Sequence, residues 1–336
     1  MTSQLSTPNE ILEIAFAFRR SKTLLTAVEL GVFAALAKQS TTATILAAKL
    51  GLNGRGSKDF FDALVVLGLL ERDASGSYSN TAAGARFLDP DSDDYVGHAL
   101  HRVSTRVYNN WNLLGTALRT GQPQSGAFGA GGYNALYSDP SSLETFLRAM
   151  TGSSLMYARA LAVAFPWDQY RSVIDIGTAE GCLPVQVTRV HPHLTVSGFD
   201  LPSVEPSFTS YVTRHGSAHL RFYSGDFLSD PLPSADVLVM GRILHNWSLA
   251  IKQMLLNKAY AALPQGGALV ICETLIDDAR QRAPDALFAS LHMLIETPDG
   301  YEATGAEYDG WLRNAGFRET SIVQLGCPQS AIIGIK

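Results

Sequence analysis

Near the start of the chain apolar residues recur at roughly helical spacing: Ile11, Ile14 and Phe18, then Leu24, Val28 and Phe33. That spacing predicts helix over residues 8–38, with Gly31 as its weak point. Two shorter apolar stretches, 45–50 and 59–67, predict two more helices separated by the breaker-rich segment 51–57. The run 71–79 then reads as a hairpin turning on Ser-Gly. Helices, a turn and a hairpin together outline a winged-helix module. Residues 95–170 read as helical again, interrupted by a Gly/Pro/Ser-rich surface loop at 121–133. Phe146, Met150, Met156 and Leu161 lie along the helix before Pro166 and read first as core positions. After Tyr170 the pattern changes. Short apolar runs rich in β-branched residues occupy 173–176, 195–199, 219–223, 237–240 and 268–272, most of them separated by helix-compatible stretches. Strands alternating with helices in this way predict βαβ units and a parallel sheet.

Composition narrows the class. At about 150 residues per domain, 336 residues suggest two domains, and 46% hydrophobic with 17% charged residues excludes wholesale disorder. The net charge of −5 argues against nucleic acid as the main partner. Within the winged-helix module Lys49, Arg55 and Lys58 are offset by Asp59 and Asp62, and a recognition helix opening on these acids would repel phosphates. The apolar first helix exceeds what one small module can bury, which favours a dimerisation role and a homodimer. No apolar run approaches the length of about 20 residues that spans a bilayer. The amino terminus lacks the charged and apolar regions of a signal peptide, so a cytoplasmic location is expected. Cys182, Cys272 and Cys327 lie far apart, which indicates neither a disulfide framework nor a zinc site.

In an open parallel sheet, ligands bind beyond the carboxyl ends of the strands. After the first predicted strand come Asp175, Gly177 and Gly181; after the second, Asp200; after the third, Gly225-Asp226-Phe227. His245 follows the fourth and Glu273 the fifth. One such residue would be noise, because carboxylates commonly cap the next helix. Five in succession point to a site. Gly177 and Gly181 permit a tight turn ahead of a helix N-terminus. Asp200, 23 positions after Gly177, is placed to take two ribose hydroxyls, an arrangement that also fits a nicotinamide cofactor. Asp226-Phe227 adds a carboxylate for an adenine amino group and a ring to stack on it. No Arg/Lys cluster accompanies these acids for a pyrophosphate, so a nucleoside ligand without phosphates fits better.

At these residues the sequence resembles the class I S-adenosylmethionine-dependent O-methyltransferases. It is more closely similar to the family of plant caffeate and isoflavone O-methyltransferases, acetylserotonin O-methyltransferase and bacterial antibiotic-decorating enzymes. The motifs are DIGTAEG at 175–181, FDLP at 199–202, GDF at 225–227, LHNW at 244–247, LPQGG at 263–267 and EATGAEY at 302–308. The resemblance implies an α/β fold: a Rossmann-like doubly wound methyltransferase sheet preceded by an all-helical, winged-helix dimerisation domain. The implied domains are 1–105 for dimerisation, 106–168 for a helical linker contributing to the substrate pocket, and 169–336 for cofactor binding and catalysis.

By the same resemblance the cofactor is S-adenosylmethionine, leaving as S-adenosylhomocysteine, with no metal. Its sites would be Asp175, Gly177, Gly181, Asp200, Leu201, Asp226, Phe227, Gly241, Arg242, Trp247 and Ser154. His245 matches the catalytic base, and Glu273 and Glu302 the acids flanking it, with Glu296 and Glu307 as less favoured neighbours. Phe146, Met150, His292, Met293, Thr297 and Asn246 fall at the acceptor pocket. Three departures stand out. Thr178 and Ala179 replace two glycines, which suits a turn of ordinary φ; Asn246 replaces an Asp beside the base; and Gly241, next to Arg242, stands where plant members carry Lys.

The chemistry is in-line displacement at a sulfonium methyl. A phenol, with pKa near 10, attacks well only as its proton leaves, and a neutral histidine can accept that proton. A carboxylate on the other ring nitrogen would fix the tautomer. The implied reaction is methylation of a hydroxyl on an aromatic small molecule. Methylation at carbon or nitrogen, a cofactor-retaining relative with other chemistry, and a winged-helix regulator are the alternatives.

Overall fold

The computed structural model describes residues 5–125 and 137–336. Of the predicted loop 121–133, only 121–125 fall within the described residues. The chain divides into two compact units, with the boundary between Asn109 and Asn110.

The first unit begins with three helices where one was expected: Pro8–Phe16, Phe18–Glu29 and Val32–Ala35. Thr7 and Glu10 close a capping box at the start. The ladder tightens at Ala17, whose N–H reaches the Ile14 carbonyl at 3.2 Å, and it stops at Gly31, where φ is +71°. Helices Ala43–Lys49 and Ser57–Val66 follow, with a small antiparallel sheet of β1 (Thr41–Thr42), β2 (Leu70–Arg72) and β3 (Ser77–Asn80) in the order β1-β3-β2. Phe33, Leu46, Phe61, Leu64, Leu70 and Tyr78 form the core. Each such side chain contributes roughly 1.5–3 kcal/mol relative to exposure. Asp62 accepts from the Tyr78 hydroxyl at 2.6 Å and pairs with Lys58 at 2.9 Å and with Arg72. These donors hold its carboxyl down at about 2, so two cations of the module are already neutralised. The first helix buries nothing: Ile11, Leu12, Ile14 and Phe16 are 42–65% exposed.

The second unit is built on a seven-stranded sheet ordered β6-β5-β4-β7-β8-β10-β9. Its strands are β4 (Ser172–Ile176), β5 (Thr195–Asp200), β6 (Arg221–Ser224), β7 (Val237–Gly241), β8 (Ala268–Thr274), β9 (Glu319–Gln324) and β10 (Gln329–Ile335). The five expected runs are β4 to β8, paired in parallel. The last two strands add what the expected five-stranded sheet lacked: β10 runs antiparallel to β8 and closes its open edge, and β9 pairs with β10. As an edge strand, β9 is mostly polar and exposed, which hides it from an apolar-run reading.

Helices cover both faces. Leu161, Trp167, Val185 and Phe208 lie in one core with Val173, Val239 and Val270, and Leu255, Leu256, Tyr308 and Leu312 lie in the other with Ile174, Leu238 and Ile271. The long helix Pro140–Ala164 packs on Cys182–Val190, whose residues 182–188 are all buried. Of its expected core positions Leu161 is buried, Phe146 and Met150 are half-buried, and Met156 is 58% exposed. Met156 therefore corrects the expectation: it falls on the solvent side of a helix that buries Leu155, Tyr157 and Ala158. Strand order reverses at β4, which has β5 on one side and β7 on the other, the switch point where α/β sheets bind ligands. Among the described residues no helix is long and apolar enough to cross a membrane.

Candidate active site

The rim begins where β4 ends. Gly177 has φ +72° and Gly181 φ +88°, and a Cβ on Gly177 would collide with Ile243. Between them Ala179 sits at φ +51°, so the expected turn of ordinary φ is corrected. An alanine there costs about 1–2 kcal/mol. The charge-assisted bond that holds it offsets the strain: the Ala179 N–H donates to Asp200 Oδ2 at 2.9 Å. Leu201 donates its N–H to Asp200 Oδ1 at 2.8 Å. Asp200 thus clamps the first loop while each oxygen keeps a lone pair. Burial pushes Asp200 up to about 6 and Asp175, buried beside it, to about 7.

After β6, Asp226 accepts the Leu228 N–H at 2.8 Å and donates its own N–H to Asp230 at 2.8 Å. The Phe227 ring meets Trp247 edge to face, with centroids 6.1 Å apart. Lys258, which sequence reasoning passed over, pins this loop by donating to the Phe227 carbonyl at 2.7 Å.

At the end of β7 the chain turns sharply. A Cβ on Gly241 would meet the Tyr157 hydroxyl, so a side chain at the position that holds Lys in plant members would have to displace that buried ring. Arg242, at φ +57°, donates its N–H to the Cys272 carbonyl at 2.9 Å and its guanidinium to Ser153 Oγ at 2.6 Å. Ser154, the expected cofactor contact, is the half-buried neighbour of that serine. The Asn246 amide donates to the carbonyls of Arg242 and Ile243 at 3.1 and 3.2 Å. Its NH₂ group therefore serves this turn.

His245 is buried, as are Glu273 and Glu302. Its Nδ1 lies 2.7 Å from Glu302 Oε1 and 3.4 Å from Glu273 Oε2. Its backbone N–H donates to Glu273 Oε1 at 3.2 Å. A carboxylate only accepts, so Nδ1 carries the proton and Nε2 is left as the base. Burial opposes charge on the ring, but Glu273 and Glu302 outweigh it and hold the pKa above the ordinary 6.5. Burial in turn pushes Glu273 well above the usual carboxylate range. Glu302 arrives on the loop after helix Pro284–Glu296: Tyr301 donates its N–H to the His245 carbonyl at 2.8 Å, and Glu302 donates its own to Ser290 Oγ at 3.3 Å.

The alternative acids have other tasks. Glu296 accepts from Asn110 at 2.9 Å, and Glu307 closes a capping box with Thr304. Of the expected acceptor residues, Met293 is buried and His292 half-buried. The Thr297 hydroxyl donates to the Met293 carbonyl at 2.8 Å and accepts from the Gly300 N–H at 2.9 Å, shaping the turn toward Glu302. Phe146, like Ala179 and Leu201, packs against the buried cluster of Leu143, Leu147 and Val204.

Carboxylates at Asp200 and Asp226, aromatic rings at Phe227 and Trp247, and a tight loop with glycines at positive φ at 177 and 181 suit a nucleoside with free hydroxyls and an exocyclic amine. Comparison with known proteins agrees. Residues 111–318 match the O-methyltransferase domain and residues 12–90 the O-methyltransferase dimerisation domain. The chain is 38% identical over 330 residues to the tetracenomycin polyketide synthesis 8-O-methyltransferase TcmO of Streptomyces glaucescens, spanning 98% of this chain and 97% of that protein. It is 37% identical to the N,N-dimethyltransferase OxyT of Streptomyces rimosus, over 92% of this chain and 90% of that protein. The crystal structure of human N-acetylserotonin methyltransferase in complex with S-adenosylmethionine superposes with a TM-score of 0.90 at 27% identity, covering 100% of this chain and 99% of that one. The chain therefore belongs to the O-methyltransferase family and is an S-adenosylmethionine-dependent O-methyltransferase.

Proposed function

We propose that the protein methylates a phenolic hydroxyl of a fused-ring aromatic metabolite, as a homodimer, with His245 as general base. The observation that carries this reading is the buried imidazole whose Nδ1 is held by Glu302 and Glu273. S-adenosylmethionine supplies a methyl group already activated as a sulfonium. Asp200 would accept hydrogen bonds from the ribose hydroxyls with its remaining lone pairs, Asp226 and Phe227 would hold the adenine, and the loop from Gly177 to Gly181 would hold the methionine part. His245 Nε2 accepts the phenolic proton as the oxygen attacks, a gain of about 10²–10⁴. Glu302 keeps Nδ1 protonated and stabilises the imidazolium, while Glu273 holds the backbone that carries the ring. Met150, His292 and Met293 form the acceptor side, where polarisable methionines suit a flat aromatic. The exposed apolar face of Pro8–Phe16 and the dimerisation domain support a dimer.

The reaction is tested by offering fused-ring phenols, and the same rings bearing an amine, with methyl-labelled cofactor. The expected result is label on the phenolic oxygen. Label on nitrogen alone would replace this reading with the activity named for OxyT.

The ribose assignment has its own test. Hydroxyl donors bind the ionised form of Asp200, whose pKa of about 6 lies above the ordinary carboxylate range. Cofactor affinity should therefore weaken as pH falls through about 6, by about tenfold per unit below it. Calorimetry near that pH should record proton release as a heat that depends on buffer ionisation, and Asp200→Asn should abolish it. Affinity that stays flat between pH 5 and 7.5 would remove Asp200 from the ribose site.

A further inference from the structure

Lys252 lies on helix Leu249–Ala262 and is completely buried, an unusual state for a lysine. Its ammonium donates to the Tyr301 carbonyl at 3.1 Å. It also lies 3.3 Å from the centroid of the Tyr301 ring and 5.2 Å from that of Trp311. A cation in such an aromatic cage is held in place as well as stabilised. The Tyr301 backbone is thereby gripped at both ends, its carbonyl by Lys252 and its N–H by the His245 carbonyl at 2.8 Å. The next residue is Glu302, the partner of His245 Nδ1.

Charge supports the same connection. Glu273 and Glu302 place two buried carboxylates around one imidazole. With both acids ionised and the imidazole protonated, one negative charge is left over among the three, and Arg242 and Lys252 are the cations that act on Glu273. Buried charges survive only when balanced, and Lys252 is the buried cation whose electrostatic partners are Glu273 and Glu302, together with Glu307.

We propose that Lys252 is a positioning residue for the base: its ammonium fixes the Tyr301 peptide so that Glu302 meets His245 Nδ1, and it supplies the countercharge that lets both acids stay ionised when the ring takes a proton. This rests on the reading of His245 as base. Burial lowers the Lys252 pKa to about 8 against the pull of Glu273, Glu302 and Glu307. The Tyr301 and Tyr308 hydroxyls are the other titratable groups of that loop and helix, and burial pushes both above their ordinary value, so neither titrates near 8.

The test is a double-mutant cycle of Lys252→Met and Glu302→Gln, read as kcat, cofactor Kd and pH profile. Lys252→Met should lower kcat about 10- to 100-fold, the scale of a misplaced catalytic group, with cofactor Kd within about twofold of the wild type. In the Glu302→Gln background the same change should cost under about threefold, because the two residues act as one unit. Equal losses in both backgrounds, or an unchanged kcat, overturn the proposal. Should Lys252→Met fail to fold, the intact enzyme still decides. ¹³Cε-lysine NMR should show one lysine titrating near 8 in step with an alkaline loss of kcat, and a kcat that is flat through that titration overturns the proposal. If His245→Ala is inactive while Lys252→Met is normal, only the role of Lys252 falls. If His245→Ala is fully active, the base reading falls and this proposal with it.

Discussion

His245→Ala is expected to lower kcat by about 10²–10⁴ while leaving cofactor affinity intact. The loss follows from removing the nitrogen that accepts the phenolic proton. The sparing of affinity follows from topology: Asp200 and Asp226-Phe227 stand after β5 and β6, and His245 after β7. Truncation also leaves two buried carboxylates without their imidazole, at a cost of about 1–3 kcal/mol, so kinetics belong well below the melting temperature of the variant. The wild-type pH profile offers a second check. Only the neutral ring can accept a proton, and the two acids hold its pKa above 6.5. kcat/KM should therefore fall as pH drops through a value higher than that of a free histidine. A variant with wild-type turnover would strip His245 of the role.

Glu302→Gln should cost about 10²- to 10⁴-fold in kcat although it changes one atom. A carboxylate 2.7 Å from Nδ1 can only accept, which forces the proton onto Nδ1 and leaves Nε2 free. An amide can instead donate, moving the ring proton to Nε2, where it blocks the base. Loss of this charge also removes one of the interactions that raise the His245 pKa, so the residual acid limb should move to lower pH. Stopped-assay rates from pH 5 to 9 separate the two effects. A rate within twofold of wild type, with an unmoved limb, would leave Glu302 as a packing residue.

Much of the site was legible before folding because of the architecture of a parallel sheet. β4, β7 and β8 are buried on both faces, so each is written as an unbroken apolar run, and the polar residue that ends the run must lie at the rim. His245 and Glu273 follow from that rule, and Asp200 ends the buried β5 in the same way, whereas Asp226 follows β6, an exposed edge strand, and is read from its place in Gly225-Asp226-Phe227. Glu302 was not: it sits beyond helix Pro284–Glu296 on a loop, and only the likeness to a known family pointed to it.

Other features left no mark along the chain. Ala179 adopts φ +51° because the Asp200 carboxylate holds its N–H, and that partner is 21 residues away. The Thr297 hydroxyl and the Asn246 NH₂ group bond within local turns, which their position along the chain does not reveal. β9 was missed because an edge strand buries too little to be apolar.

By itself the sequence determined the buried parallel strands at the centre of the sheet and the residue types at the rim, since burial on both faces and strand-end polarity are properties of local pattern. Tertiary structure alone decided which lone pairs remain available, which acid meets which ring nitrogen, and that Lys252 lies beneath them. Those outcomes depend on distances between segments tens of residues apart, and hydrophobic periodicity carries no information about such distances.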